Sequence, residues 1–322
     1  MAFLLGHAIV SLSVLVSAIA PVLLMLALGF GAGKHRAFDA DQGKGLSHLA
    51  LSYALPAALF LGMAHFDRAL LLQQGPVVIV MLIGYAALYP ILLFPMRALG
   101  IDKLRAALLG YTFVSTAAPV YGLTVLVPIY GQEVGAGIVG LVALVTNLAQ
   151  VSVAVFLLQS AANDRGRAPP VLVTLGRSAA NPLVWSPIAG AVLALSGLQL
   201  SPYVSAALAP LAAAAGGVAI FASGLVLAAH RLSLASPAVM VGSLICLVVQ
   251  PALFFAMIKG AGLSGAMAQA AFVASAMPTG TPSVLFAQQY GACETETASI
   301  MLITTVGMVV ALPAALVLSA YI

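Results

Sequence analysis

The sequence predicts an all-α membrane protein: ten transmembrane helices in two inverted five-helix repeats, with helices 4 and 9 broken. Three observations predict it. Of 322 residues, 63% are hydrophobic and only 6% are charged, whereas soluble domains carry about 25% charged residues. So few charges cannot cover a water-facing surface. The apolar runs are about 20 residues long, the length of a bilayer-crossing helix rather than of a barrel strand. Finally, "FVSTAAP" at 113–119 returns as "FVASAMP" at 272–278.

The elements follow in order. Span 1 (9–31) has no basic residue before it and Lys34-His35-Arg36 after it, which reads as a true span with an outside N-terminus rather than a signal peptide. Gly29, Gly31 and Gly33 have the spacing of a nucleotide fingerprint, but no strand precedes them, so close helix packing is expected. Span 2 (45–64) has His48 at its cytoplasmic start, read as an interfacial residue, and carries Tyr53 and Pro56 as packing residues. Span 3 (76–97) contains "YPILLFPM" (89–96), which matches "QPALFFAM" (250–257) in span 8 (237–258) and pairs Pro90 with Pro251. Span 4 (106–130) and span 9 (266–290) hold the repeated phrase. Span 5 (134–160), with "TNLAQVSVAVFLL" (146–158), matches span 10 (297–320), with "TTVGMVVALPAALV" (304–317). Asn181-Pro182 opens span 6 (178–199), and span 7 covers 203–228.

The polar stretch "ANDRGRAPP" (162–170) marks the seam, giving a first repeat at 1–160, a linker at 161–172 and a second repeat at 173–322. Five crossings are odd, so the second copy enters the membrane upside down, a signature of secondary transporters. Lys34, Arg36, Lys44, Arg97, Lys103, Arg105, Arg165, Arg167, Arg177 and Arg231 fall on one face; only Arg68 and Lys259 fall on the other. The first face is expected to be cytoplasmic, with both termini periplasmic.

Proline removes a backbone donor and clashes with the preceding turn. Two prolines at matched positions, Pro119 and Pro278, among small polar residues predict broken helices. Ser115, Thr116, Tyr121, Gly122 and Thr124 surround the first; Ser275, Thr279, Gly280, Thr281 and Ser283 surround the second. Thr281-Pro282 reads as an N-cap followed by proline at the first helical position. A half-helix starting at mid-membrane attracts anions. Asn147 and Gln150 share a face of span 5; Asn147 is a candidate cavity residue and Gln150 an interhelical hydrogen bonder. Gln250 and Gln269 read as packing glue.

No acidic or basic residue sits at a span centre, and Cys246 and Cys293 form no CxxC pair. Intramembrane proteolysis, a metal site and a buried-acid proton relay are therefore not expected, nor is enzymatic activity or a cofactor.

"AMPTGTPSVLFAQQYG" (276–291) resembles the ninth span of the auxin efflux carrier family, which includes plant PIN-type carriers and bacterial permeases. "GLTVLVPIYG" (122–131), "NPLVWSPIAGAVLALSGL" (181–198) and "ALP" (311–313) fit the same family, and the likeness spans the chain. Pro-Thr-Gly-Thr-Pro is most similar to bacterial malonate-carrier-like members. The resemblance implies that spans 4 and 9 cross at their breaks, that an organic anion binds there, that spans 1, 2, 6 and 7 form a scaffold and 3–5 and 8–10 a moving bundle, and that the protein is a homodimer through the scaffold. Ala117 and Ala118 stand where PIN-like members carry Asn-Thr, so the amide contact of auxin carriers is not carried over.

The expected function is secondary transport of a small organic anion, malonate or a similar short dicarboxylate, across the bacterial inner membrane by alternating access. The alternatives are an exporter or channel for a monocarboxylate or auxin-like anion, and a non-transporting membrane sensor. An inside-negative potential opposes anion uptake by about 2.3 kcal/mol per charge per 100 mV, so uptake needs a coupled H+ or Na+. Unwound carbonyls near 116–120 and 276–280 are candidates to hold Na+.

Overall fold

The structure, a computed structural model, describes residues 12–162, 182–230, 232–233 and 235–322. Most of the expected linker, the start of span 6 with Asn181, and Arg165, Arg167, Arg177 and Arg231 lie outside the described residues. Among the described residues the chain is all helical, with no strand.

The first helices are α1 (Leu12–Lys34), α2 (Ala40–Leu49), α3 (Leu55–Ala64), the short α4 (Arg68–Gln73) and α5 (Gly75–Ala98). Then come α6 (Lys103–Val114), α7 (Ala118–Val145), α8 (Ser152–Ala162), α9 (Pro182–Ser196) and α10 (Pro202–Ala229). The last are α11 (Pro237–Leu244), α12 (Gln250–Gly260), α13 (Ala266–Ser275), α14 (Thr281–Tyr290) and α15 (Glu294–Ser319). Six helical runs among the described residues are long and apolar enough to cross a membrane, and one of them, Lys103–Ala161, covers both span 4 and span 5. At 1.5 Å per residue, α13 and α14 each reach only about 15 Å, too short to cross alone.

Single π turns join α2 to α3 (Ala50–Ala54) and α11 to α12 (Ile245–Val249). Each is followed at once by a proline in the first turn of the next helix, Pro56 and Pro251. A proline cannot donate to the carbonyl four residues back, and the widened turn absorbs that defect. A third π turn (Thr146–Val151) joins α7 to α8. Gly131 interrupts α7 with φ 83°, a conformation glycine adopts without a Cβ penalty. It separates the stretches assigned to spans 4 and 5.

Two groups of helices pack separately. In one, α1 lies along α10, and α3 against α9 and α10. Small residues permit the approach of α1 and α10: a Cβ on Gly29 would strike the Phe221 carbonyl, and one on Gly33 would lie 2.6 Å from the Ala228 Cβ. Gly31 faces open space, so two of the three spaced glycines serve close packing. Without a hydrophobic drive between helices in lipid, such backbone contact is the main source of association. In the other group α5 packs on α6 and α12, α8 on α6, and α15 on α11, α13 and α14. The two groups meet along α7, which touches α1, α3, α10 and α13.

Candidate functional site

Asp102 starts α6 by accepting from the backbone N–H groups of Leu104 and Arg105. The helix stops at Val114, and Ser115 turns extended (φ −69°, ψ 144°). Proline explains the stop: the Pro119 ring would strike the Ser115 carbonyl if that turn stayed helical. The chain resumes as α7 with Pro119 in its first turn. In the second copy α13 ends at Ser275, and residues 276–280 are non-helical before α14 resumes with Pro282 in its first turn.

Two sequence expectations are corrected. The wording pairs Pro119 with Pro278, but in position Pro119 matches Pro282, because the second break is longer and Pro278 lies inside it. The N-cap of α14 is Gly280, not Thr281, and it makes no side-chain cap. The Thr281 hydroxyl is instead 2.7 Å from that of Ser223 on α10.

The two breaks lie against each other. Ala117 N–H donates to the Pro278 carbonyl at 2.7 Å. The Ser115 and Thr279 hydroxyls are 2.9 Å apart, and Gly280 N–H donates to Ser115 Oγ at 3.0 Å. Thr279 Oγ1 donates to the Thr112 carbonyl at 2.7 Å, and Thr116 Oγ1 to the Ala274 carbonyl at 3.3 Å. A Cβ on Gly280 would come 3.2 Å from the Thr116 carbonyl oxygen, so glycine permits this approach. Each half-helix exposes backbone groups that lipid cannot satisfy; the crossing satisfies several of them from the opposite broken helix.

Two glutamines finish the task. Gln150 Nε2 donates to the Val114 carbonyl at 2.9 Å, and Gln250 Nε2 to the Ser275 carbonyl at 3.0 Å. The last residue of each first half-helix is thus capped by an amide from a neighbouring helix. Thr304 Oγ1 on α15 accepts from Thr279 N–H at 3.2 Å.

The structure therefore brings Ser115, Thr116, Thr279, Gly280 and Thr281 to one point. Ser283 and Ser275 are buried beside it, but their hydroxyls donate to Gly280 and Phe272 carbonyls in their own segment. Tyr121 is fully buried; its hydroxyl lies beside Ser223 and Thr305 but makes no well-formed hydrogen bond. Thr124 lies apart, on a cavity wall. Asn147 donates to the Ala143 carbonyl of its own helix at 2.7 Å and lines none of the cavities described below. Sequence reasoning missed Thr112, Ser223 and Thr304, and read Gln150 and Gln250 only as glue. The available signal was the need for donors wherever a helix ends inside a membrane.

Two cavities approach the crossing. The larger, about 750 Å³, lies between α3, α7 and α10, and Thr124, Gly216, His65, Asp67, Gln132 and Glu133 are among the residues that line it. The smaller, about 340 Å³, lies among the ends of α1, α2 and α10 and the side of α14, with Arg36, Lys44 and Gln288 in its lining. A void of about 10 Å³ touching Ser47, Val120 and Thr281 lies between them. His48 lines neither cavity, whereas His230, at the end of α10, touches Gln288 of the smaller one. Among the described residues no group of His, Cys, Asp or Glu could hold a metal.

An all-helical, strongly apolar chain with two interrupted helices joined at their breaks is the architecture of a multi-pass membrane protein. The family described as membrane transport protein matches residues 14–317. The chain belongs to that family, the PIN-like auxin efflux carriers. It is also similar to a protein of Escherichia coli K12 named "Uncharacterized transporter YfdV", 26% identical over 296 residues, which cover 91% of this chain and 94% of that protein. Proteins of the same name in Escherichia coli O157:H7 and Shigella flexneri match equally.

Proposed function

We propose that this membrane transporter is a secondary carrier that moves a small organic anion by alternating access, with malonate as the first candidate. One observation carries the reading. Two half-helices, α7 and α14, begin at the same buried point, among the hydroxyls of Ser115, Thr116, Thr279 and Thr281. Each helix start offers about +0.5 charge, so the pair balances about one negative charge. A monoanion, or a dianion travelling with H+ or Na+, matches that total. Compact dicarboxylates can place one carboxyl at each helix start, and the rotating hydroxyls can exchange their present acceptors for ligand oxygens.

In this reading the chain crosses the inner membrane ten times as two inverted repeats, with both termini periplasmic. The group of α1, α2, α3, α9 and α10 is the scaffold and dimer surface, and the other group moves. The packing of two separate groups that meet along α7 supports this division.

The test is radiolabelled malonate counterflow in proteoliposomes at several pH values, with succinate, acetate and indole-3-acetate as competitors. Exchange should rise toward mildly acidic pH as singly protonated malonate becomes commoner. Stronger competition by the indole acid than by unlabelled malonate would overturn the substrate, and a flat pH profile would remove the monoanion.

A further inference from the structure

We propose that the smaller cavity is a second, outlying anion site, in which Arg36 and Lys44 hold a carboxylate before it reaches the crossing. It rests on the reading of this protein as an anion carrier. The cavity, about 340 Å³, has an apolar wall that includes Phe38, Leu225 and Leu285, and its charged lining is Arg36, Lys44 and Asp39.

The three charges are not equally committed. Asp39 Oδ1 caps α2 by accepting from Gln42 N–H at 2.7 Å. Lys44 Nζ pairs with Asp41 at 3.1 Å, but both side chains are largely exposed, and such pairs are weak and easily exchanged. The Arg36 guanidinium makes no ion pair or hydrogen bond among the described residues. Its backbone is left-handed, φ 55°, at the end of α1, where glycine is the usual occupant. A planar fork of donors suits a carboxylate.

The cavity also leads to the crossing. Ser47 lines both it and the small void that touches Thr281. The larger cavity, on the other side of that void, has no lysine or arginine in its lining and carries the carboxyl groups of Asp67 and Glu133 beside His65. A positive mouth raises the local concentration of an anion and a negative one lowers it. The carrier therefore loads its anion from the Arg36 face.

The experiment separates this site from the crossing by reading the local potential without transport. Ser47→Cys is made in full-length protein with Cys246→Ser and Cys293→Ser, reconstituted in vesicles. Its reaction is timed with a negatively charged and a positively charged methanethiosulfonate reagent of similar size. The anionic reagent should be favoured, and Arg36→Gln with Lys44→Gln should cut its advantage about tenfold. Arg36→Lys should retain most of it, and high salt should erase it. The malonate half-saturation on that face should rise several-fold in the double variant, with the other face unchanged. An unaltered reagent ratio in the double variant overturns the site. Absence of any malonate exchange in the parent overturns the substrate instead, and the reagent ratio still decides the vestibule.

Discussion

The Thr281 hydroxyl sits 2.7 Å from the Ser223 hydroxyl, tying the first residue of half-helix α14 to the C-terminal part of α10. Ser223 in turn donates to the Ala219 carbonyl at 2.8 Å, which makes Thr281 the donor to Ser223. Thr281→Val keeps the shape and removes the bond. We expect a stability loss of about 0.5–1.5 kcal/mol and altered exchange between the two group orientations. Ser223→Ala should reproduce the exchange defect. Counterflow rate and thermal unfolding of both variants check this. Wild-type exchange in both would separate this bond from transport.

Gln150→Leu removes the side-chain donor to the Val114 carbonyl and leaves that group without a side-chain partner among the described residues, in a dry interior. The cost should be about 1–3 kcal/mol, seen as a lower Tm in detergent. Gln250→Leu should act alike at Ser275. Gln150→Glu can donate only while its carboxyl is protonated, so its Tm should fall as pH rises. A Tm equal to wild type in both Leu variants would mean the half-helix ends find other donors.

Tyr121→Phe separates folding from binding. The hydroxyl is buried without a well-formed partner, so its removal should leave Tm level or slightly higher. If the hydroxyl donates to the bound anion, affinity should fall tenfold or more, because a hydrogen bond to a charged group is worth about 1.5–3 kcal/mol. Equilibrium binding of labelled malonate to the variant reads this. Unchanged binding with raised Tm would assign Tyr121 to packing alone.

His230 holds the smaller cavity's edge together. Its Nδ1 donates to the Val226 carbonyl at 2.7 Å, leaving Nε2 to accept from the Gln288 amide at 3.1 Å. Glu294 lies 3.6 Å from the same nitrogen. Both partners belong to α14 and α15, across the boundary between the two helix groups. His230→Ala should speed thiol labelling at Ser47→Cys several-fold and also lower Tm, since the imidazole is buried and leaves the Gln288 amide without its acceptor. Slower labelling would show that the imidazole props the mouth open rather than closing it.

Cysteines placed at Arg36 and at Gln199, both exposed, should be reached from opposite sides of the membrane. The native Cys293 will interfere little. Burial first, then the nearby Glu296 carboxylate, pushes its thiol up to about 11. Only the thiolate reacts, so its labelling rate should climb about tenfold per pH unit toward that value, while exposed cysteines near 8.5 react first at neutral pH. Labelling of both introduced sites from one side would end the inverted-repeat reading.

Composition and run length alone determined that this chain is helical and lives in a membrane, because 6% charged residues leave no alternative in water. The repeated phrase also marked both helix breaks, since a proline's missing N–H acts locally whatever surrounds it. Gly131 divides α7 between the stretches assigned to spans 4 and 5, and Gly29 and Gly33 pack closely as their spacing implied. The tertiary structure decided which groups meet. Thr281 carries a capping pattern, yet its hydroxyl goes to Ser223, because α10 brings an acceptor nearer than its own helix does. Asn147 and Gln150 occupy one π turn, but only Gln150 reaches Val114; side-chain direction there depends on where α6 ends. Pro119 and Pro278 match in wording and not in role, because the second break is longer. The charges of the two cavity mouths were visible in the sequence one residue at a time. Only packing gathers Arg36 with Lys44 and Asp67 with Glu133, residues that local periodicity has no means of bringing together.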